Sequence, residues 1–148
     1  MSYFRADIRR PYEMNQQVFI NLPVADLTKS RAFYQALGYD FNEQFSDDTA
    51  ACVVISQHIH VMLLTHPKFR QFTPKAICDS TKFTEVLNCL SCSSREEVDQ
   101  CVARAVSGGG STYADAKDYG FMYQHSFQDP DGHQWELIHL SAMPPAKA

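Results

Sequence analysis

Glu136 is the residue from which any chemistry of this chain has to start. It stands in "FQDPDGHQWELIHL", Phe127 to Leu140, which reads as a strand, a tight turn and a second strand. A carboxylate in mid-strand is either turned to water or kept for a purpose. Two other groupings compete for attention. "CLSC" places Cys89 and Cys92 in a C-x-x-C pattern, and "HIH" places His58 and His60 on one strand face. A redox pair needs its first cysteine at a helix N-terminus. Here the pattern closes a strand, and a spacing of three sends the thiols to opposite faces, so buried small hydrophobes are the expected reading. The two histidines abut a hairpin turn and are expected in solvent. "SGGG", Ser107 to Gly110, ends a helix instead of opening one, so a C-cap explains it better than a phosphate cradle.

The elements around Glu136 follow from the turn. In "DPDG", Pro130 suits the second position of a type I turn and Gly132 the left-handed residue of a bulge. A three-residue loop makes Asp129 face His133, Ser126 face Glu136 and Gln124 face Ile138. Tyr123, His125, Trp135 and His139 then fall on the other side of the sheet, under a helix. A two-residue loop would instead make His125 the neighbour of Glu136.

The same reasoning runs along the chain. "QQVFINLPV" is a strand, and "DLTKSRAFYQALGY" is a helix capped by Asp26 and stopped by Gly38. "YDFNEQFSDD", "AACVVIS" and "HVMLLTH" are three more strands. After a bridge the pattern returns: "FTEVLNCLSC" is a strand and "SSREEVDQCVARAVSGGG" a helix with two candidate capping boxes. "STYADA", "FMYQHSF" and "HQWELIHL" are the last strands. The chain is therefore expected to be α+β, with two tandem β-α-β-β-β modules forming curved mixed sheets around a cavity. The modules span about residues 14–66 and 83–141. A bridge (67–82), an extension (1–13) and a tail (142–148) lie outside them.

By strand parity the cavity face carries Phe19 and Asn21, then Leu63 and Thr65, then Glu85 and Leu87, and finally Gln124, Ser126 and Glu136. This is an apolar surface with a few convergent polar groups, the usual lining of a small-molecule site. Glu136 could act there as a general base or hold a cationic ligand group. It could equally be a structural acid satisfied by Ser126, Gln124 or Asn21.

Bulk properties narrow the field. At 148 residues the chain can bury roughly 68–70% of its unfolded surface as one domain. A net charge of −4 gives no basic footprint for nucleic acid. No apolar run approaches the ~20 residues that cross a bilayer. Five cysteines, an odd number scattered through apolar segments, suggest reduced thiols and a cytoplasmic protein.

The repeated module order, "NLPVADLTKSRAFYQALGY" and "FQDPDGHQWEL" resemble the vicinal oxygen chelate superfamily: glyoxalase I, extradiol dioxygenases, and fosfomycin and bleomycin resistance proteins. "FSDDTAACVVIS", "TEVL" and "SREEVD" are similar to a bacterial subgroup labelled predicted lactoylglutathione lyase. The resemblance implies the glyoxalase-like fold and a homodimer. It also implies four metal-ligand positions, which fall on Phe19, Leu63, Leu87 and Glu136. Phe and Leu have no lone pairs for a metal, and a lone carboxylate cannot build a site. The expectation is a small-molecule pocket around Glu136 with no metal or other cofactor. It would serve ligand binding or sequestration, or else a lyase or isomerase that uses Glu136 as base.

Overall fold

A computed structural model describes residues 16–147. The expected extension over 1–13 lies outside them. The first module comprises β1 (Val18–Val24), α1 (Leu27–Ala36), β2 (Asp40–Asn42), β3 (Ala50–Val54) and β4 (Ile59–Thr65). A short helix, α2 (His66–Arg70), opens the bridge. The second module comprises β5 (Asn88–Ser91), α3 (Arg95–Ser107), β6 (Lys117–Asp118), β7 (Met122–Gln128) and β8 (Gln134–Leu140). Each module is a four-stranded mixed sheet, ordered β1-β4-β3-β2 and β5-β8-β7-β6. The α+β repeat expected from the sequence is present.

Both helices start where the sequence says. The Asp26 side chain accepts from the Lys29 N–H, and Ser94 accepts from the Glu97 N–H. Of the two candidate boxes, Ser94 with Glu97 is the one used, and the Glu97 carboxylate reaches back to the Ser93 N–H at 2.6 Å. Gly108 caps α3 at its C-terminus, donating its N–H to Arg104.

Three strands are shorter than expected. "FTEVLNCLSC" is extended only from Asn88, so Glu85 and Leu87 belong to an irregular bridge. A β-branched stretch forms a strand only when it finds a neighbour, and β8 offers partners for Asn88 to Ser91 alone. "YDFNEQFSDD" pairs for three residues and then turns into a 3₁₀ segment capped by Asn42. "STYADA" contributes one isolated bridge, Ser111 to Gln128, and β6 follows later.

One core serves both modules. Leu22, Val24, Val61 and Leu63 from the first sheet meet Phe33 and Tyr34 of α1, Val98 and Val102 of α3, and Phe127, Trp135 and Leu137 of the second sheet. Phe33 lies 6.0 Å from Phe127, and Tyr34 lies edge-on to Trp135 at 6.2 Å.

At the centre of this junction sits the turn after β7. Asp129 is 3% exposed, and its carboxylate accepts from three donors. Tyr34 donates its hydroxyl to Oδ2 at 2.8 Å, and the N–H groups of Asp131 and His133 donate to Oδ1 at 3.0 and 2.9 Å. Trp135 Nε1–H donates to the Tyr34 hydroxyl at 3.1 Å. His133 Nε2 donates to the Pro23 carbonyl at 2.7 Å, and Asp131 accepts from the Ala25 N–H at 2.9 Å. The turn thus ties the end of β1 and the face of α1 to the second sheet. Gly132 is required in it: its φ is +90°, and an added Cβ would lie 2.6 Å from the Ser80 carbonyl oxygen.

Burial raises the Asp129 carboxyl above its ordinary range, an effect only partly offset by His133 and by the Tyr34 hydrogen bond. A raised native value makes this group's contribution greatest below the ordinary carboxylate value of about 4 and lost as pH rises through the native one. Asp129→Asn removes that titration. The stability of the natural chain relative to this variant should therefore fall as pH rises through that window and then level off, as read by denaturant unfolding. Tyr34→Phe leaves a buried carboxylate oxygen and an indole N–H without partners. It should cost about 2 kcal/mol, or about 4–8 °C in Tm for a chain of this size.

Candidate functional site

The helices cover one side of each sheet and leave the other open. In the first sheet the parallel pairing sets Ile20 opposite Val61, Leu22 opposite Leu63 and Val24 opposite Thr65, all on the helix side. The open side carries Phe19 with His60, Asn21 with Met62, and Pro23 with Leu64. In the second sheet Phe127, Trp135 and Leu137 are buried under the helices. Gln124 with Ile138, and Ser126 and Cys89 with Glu136, occupy the open side.

The expected hairpin register is correct. Ser126 faces Glu136 and Gln124 faces Ile138 across a three-residue loop, so His125 is not the neighbour of Glu136. Tyr123, His125, Trp135 and His139 fall on the helix side, and Tyr123 donates its hydroxyl to Asp99 of α3 at 2.7 Å.

Other site expectations need correction. Leu63 does not share a face with Phe19 and Asn21, because β4 runs parallel to β1 with Leu63 opposite Leu22, deep in the core. Met62 takes the place intended for it. Thr65 is likewise on the helix side, and its hydroxyl caps α2. Leu87 precedes β5 and is 52% exposed on the bridge. His60 is buried, not solvated: it stacks on Phe19 with ring centroids 4.7 Å apart. The β1–β4 register would have revealed it, since a histidine opposite an open-face Phe has a ring to lie against.

Glu136 is half-buried, and among the described residues it makes no hydrogen bond or ion pair. The structural alternative, a carboxylate satisfied by Ser126, Gln124 or Asn21, is not formed. Its neighbour on β5 is Cys89, whose thiol is pushed up first by burial and then by the Glu136 charge.

The donor set does not fit a divalent metal. Of the four positions that the resemblance assigns to metal ligands, Phe19, Leu63 and Leu87 carry no donor atom, and Asn21, Met62 and Cys89 are the open-face residues beside them and Glu136. Among the described residues no three of His, Cys, Asp and Glu gather closely enough to hold a metal ion.

Two hollows accompany these faces. One, of about 360 Å³, lies on the open face of the first sheet between Asn21, Phe45, Met62, Leu64, Lys68 and Phe72. The Lys68 ammonium lies 5.7 Å from the centre of the Phe72 ring, and Phe45 and Phe72 are exposed. The second, of about 300 Å³, lies beneath the bridge, between the end of β1 and the starts of β5 and β8. Of the expected site residues only Asn21 and Glu85 line this second cavity. Sequence reasoning missed it because an irregular bridge has no periodicity to read.

The family described as bleomycin resistance protein-like N-terminal matches residues 16–56, which cover β1 to β3. Solved structures match across both modules. A hypothetical protein from S. aureus is 29% identical over 84% of this chain and 93% of its own, with a TM-score of 0.72. The chain has a glyoxalase-like fold. A glyoxalase-related enzyme from Fulvimarina pelagi shares this fold at 21% identity and TM-score 0.73, over 88% of this chain and 93% of its own. A glyoxalase/bleomycin resistance protein/dioxygenase family enzyme from Burkholderia phytofirmans PsJN does so at 17% identity and TM-score 0.68, over 82% and 96%. No curated protein matches the chain.

The closeness of Cys89 and Glu136 has a measurable result. Removing the negative charge in Glu136→Gln should lower the Cys89 thiol pKa and speed its alkylation by iodoacetamide near pH 8. Peptide mass mapping separates Cys89 from the other exposed cysteine, Cys78. An unchanged Cys89 rate would mean that the two side chains do not interact.

Proposed function

We propose that this protein binds a small cationic organic molecule without a metal, on the open sheet faces, and that it does so as a homodimer. The observation that carries the reading is Glu136: a half-buried carboxylate with no partner among the described residues. Such a group is free to meet a ligand group of opposite charge. The aromatic and thioether side chains Phe45, Met62 and Phe72 supply apolar surface of the kind that accepts organic cations. Val18 and Phe19, both exposed on the edge strand β1, favour cover by a second copy. A dimer that sets the first sheet of one chain over the second sheet of its partner would place aromatic walls opposite the carboxylate.

A second reading assigns Glu136 the role of general base in a glyoxalase-like lyase or isomerase. The same unpartnered carboxylate favours it, because a base must be free to take a proton.

Light scattering at micromolar concentration should return twice the chain mass of 16.8 kDa. Calorimetric titration with bleomycin and with benzyltrimethylammonium should give saturable binding unaffected by chelator washing. Glu136→Gln should weaken it about tenfold, the loss of one charge-assisted contact. Equal binding by the variant would remove Glu136 from the site. Turnover of the methylglyoxal–glutathione hemithioacetal that disappears in the variant would decide for the base. Retention of about one zinc, nickel or iron per chain after chelation would sink the metal-independent reading.

A further inference from the structure

The cavity beneath the bridge is separate from Glu136, which does not line it. Its walls come from every part of the chain that joins the modules: Asn21 to Pro23 at the end of β1, Phe69 of α2, the bridge from Thr73 to Val86, Asn88 of β5, and Gly132 to Gln134. At about 300 Å³ it is at the small end of ligand sites. Beside the hydroxyls of Thr73, Ser80 and Thr84, its polar groups include three of one kind. Asn21, Asn88 and Gln134 each bring a carboxamide, which offers a donor and an acceptor side by side. Most of that capacity is unspent. Among the described residues the Asn21 and Asn88 amides make no side-chain hydrogen bond. Gln134 uses only Oε1, which accepts from the Thr84 hydroxyl at 2.6 Å. Charge is balanced by Lys75 and Glu85, one of each sign, which do not pair with each other. Phe69 and Phe83 provide aromatic wall.

We propose that this cavity is a second binding site, for a small, neutral, planar heterocycle that carries a lactam edge, such as a pyrimidine or purine base. Three features select that class. A carboxamide pairs with a lactam through two parallel hydrogen bonds, one given and one taken, so unspent amides reward a ligand whose donor and acceptor are adjacent. Aromatic walls favour a flat ring. Balanced charge favours a ligand with none. The site lies within one chain, so it needs no dimer and is independent of the reading given to Glu136. His133 also lines the cavity, with its Nε2–H committed to the Pro23 carbonyl.

The test is protein-observed NMR titration of the full chain with uracil and hypoxanthine, and with toluene and phenylalanine as controls. Uracil or hypoxanthine should bind saturably in the millimolar range or better, shifting the side-chain amide signals of Asn88 and Gln134. Toluene should bind at least about tenfold more weakly, lacking both hydrogen bonds. Asn88→Leu, which keeps the volume and removes the amide, should weaken uracil at least about tenfold while leaving toluene unchanged. Toluene binding that survives in Asn88→Leu also shows that the variant is folded with its cavity intact. Absence of saturable binding by both bases overturns the proposal. So does equal binding of toluene, which makes the cavity merely apolar. Tighter binding of phenylalanine overturns it too, since Lys75 and Glu85 would then be reading a zwitterion.

Discussion

The structure depends on a single buried carboxylate. Asp129 sits where both modules, a helix and a turn converge, and its two oxygens organise the junction. One oxygen shapes the turn by accepting two backbone N–H groups; the other reaches across to Tyr34 of the first module. Burying a charge is costly, and the raised Asp129 carboxyl is the sign of that cost. The cost is offset by hydrogen bonds and by what the geometry makes possible. With the turn fixed, His133 and Asp131 can hold the backbone at Pro23 and Ala25. Trp135 is then delivered to the Tyr34 hydroxyl with its ring packed on Phe127. The acidic turn motif is therefore a fastening between modules, and Glu136, seven residues along, is a different kind of acid.

That fastening determines where function can lie. Joining the modules through their helices uses up the apolar side of each sheet in one shared core. The opposite sides are left open, and there the first sheet presents Phe19, Asn21, Met62 and Leu64 while the second presents Cys89, Gln124, Ser126 and Glu136. A site on those faces would have shape, aromatic surface and one carboxylate to work with, and among the described residues no three possible metal donors gather there.

Much of this was legible in the sequence, and the limits are instructive. The repeated modules, both helix caps and the β7–β8 register could be read because each has a local cause: a period, a capping side chain, a Pro and a Gly at fixed turn positions. Leu63 was assigned to the wrong face because β4 finds its register against a strand some forty residues earlier, and no local feature states it. His60 was misjudged for the same reason, since its cover is Phe19 on that distant strand. Leu87 reads as strand by composition, yet β8 has no partner to give it. The cavity under the bridge was invisible because it is assembled from segments that have no pattern in common.

The two hollows differ in what they demand of the molecule. The open face is an unfinished surface: its carboxylate is half-buried, its aromatic residues project outward, and a second copy is what we propose to complete it. The bridge cavity is finished within one chain, because the modules are already locked against each other by the Asp129 turn, and Ser80 of the bridge rests on Gly132 of that turn. The same contact that makes glycine obligatory at 132 thus sets the floor of the cavity. Whatever loosens the turn therefore disturbs the bridge cavity directly. It reaches the Glu136 face only through the position of β8, two residues beyond Gln134. The unspent amides lie beside that fastened turn, and hydrogen-bond recognition of a small flat ligand depends on groups held in place by their surroundings.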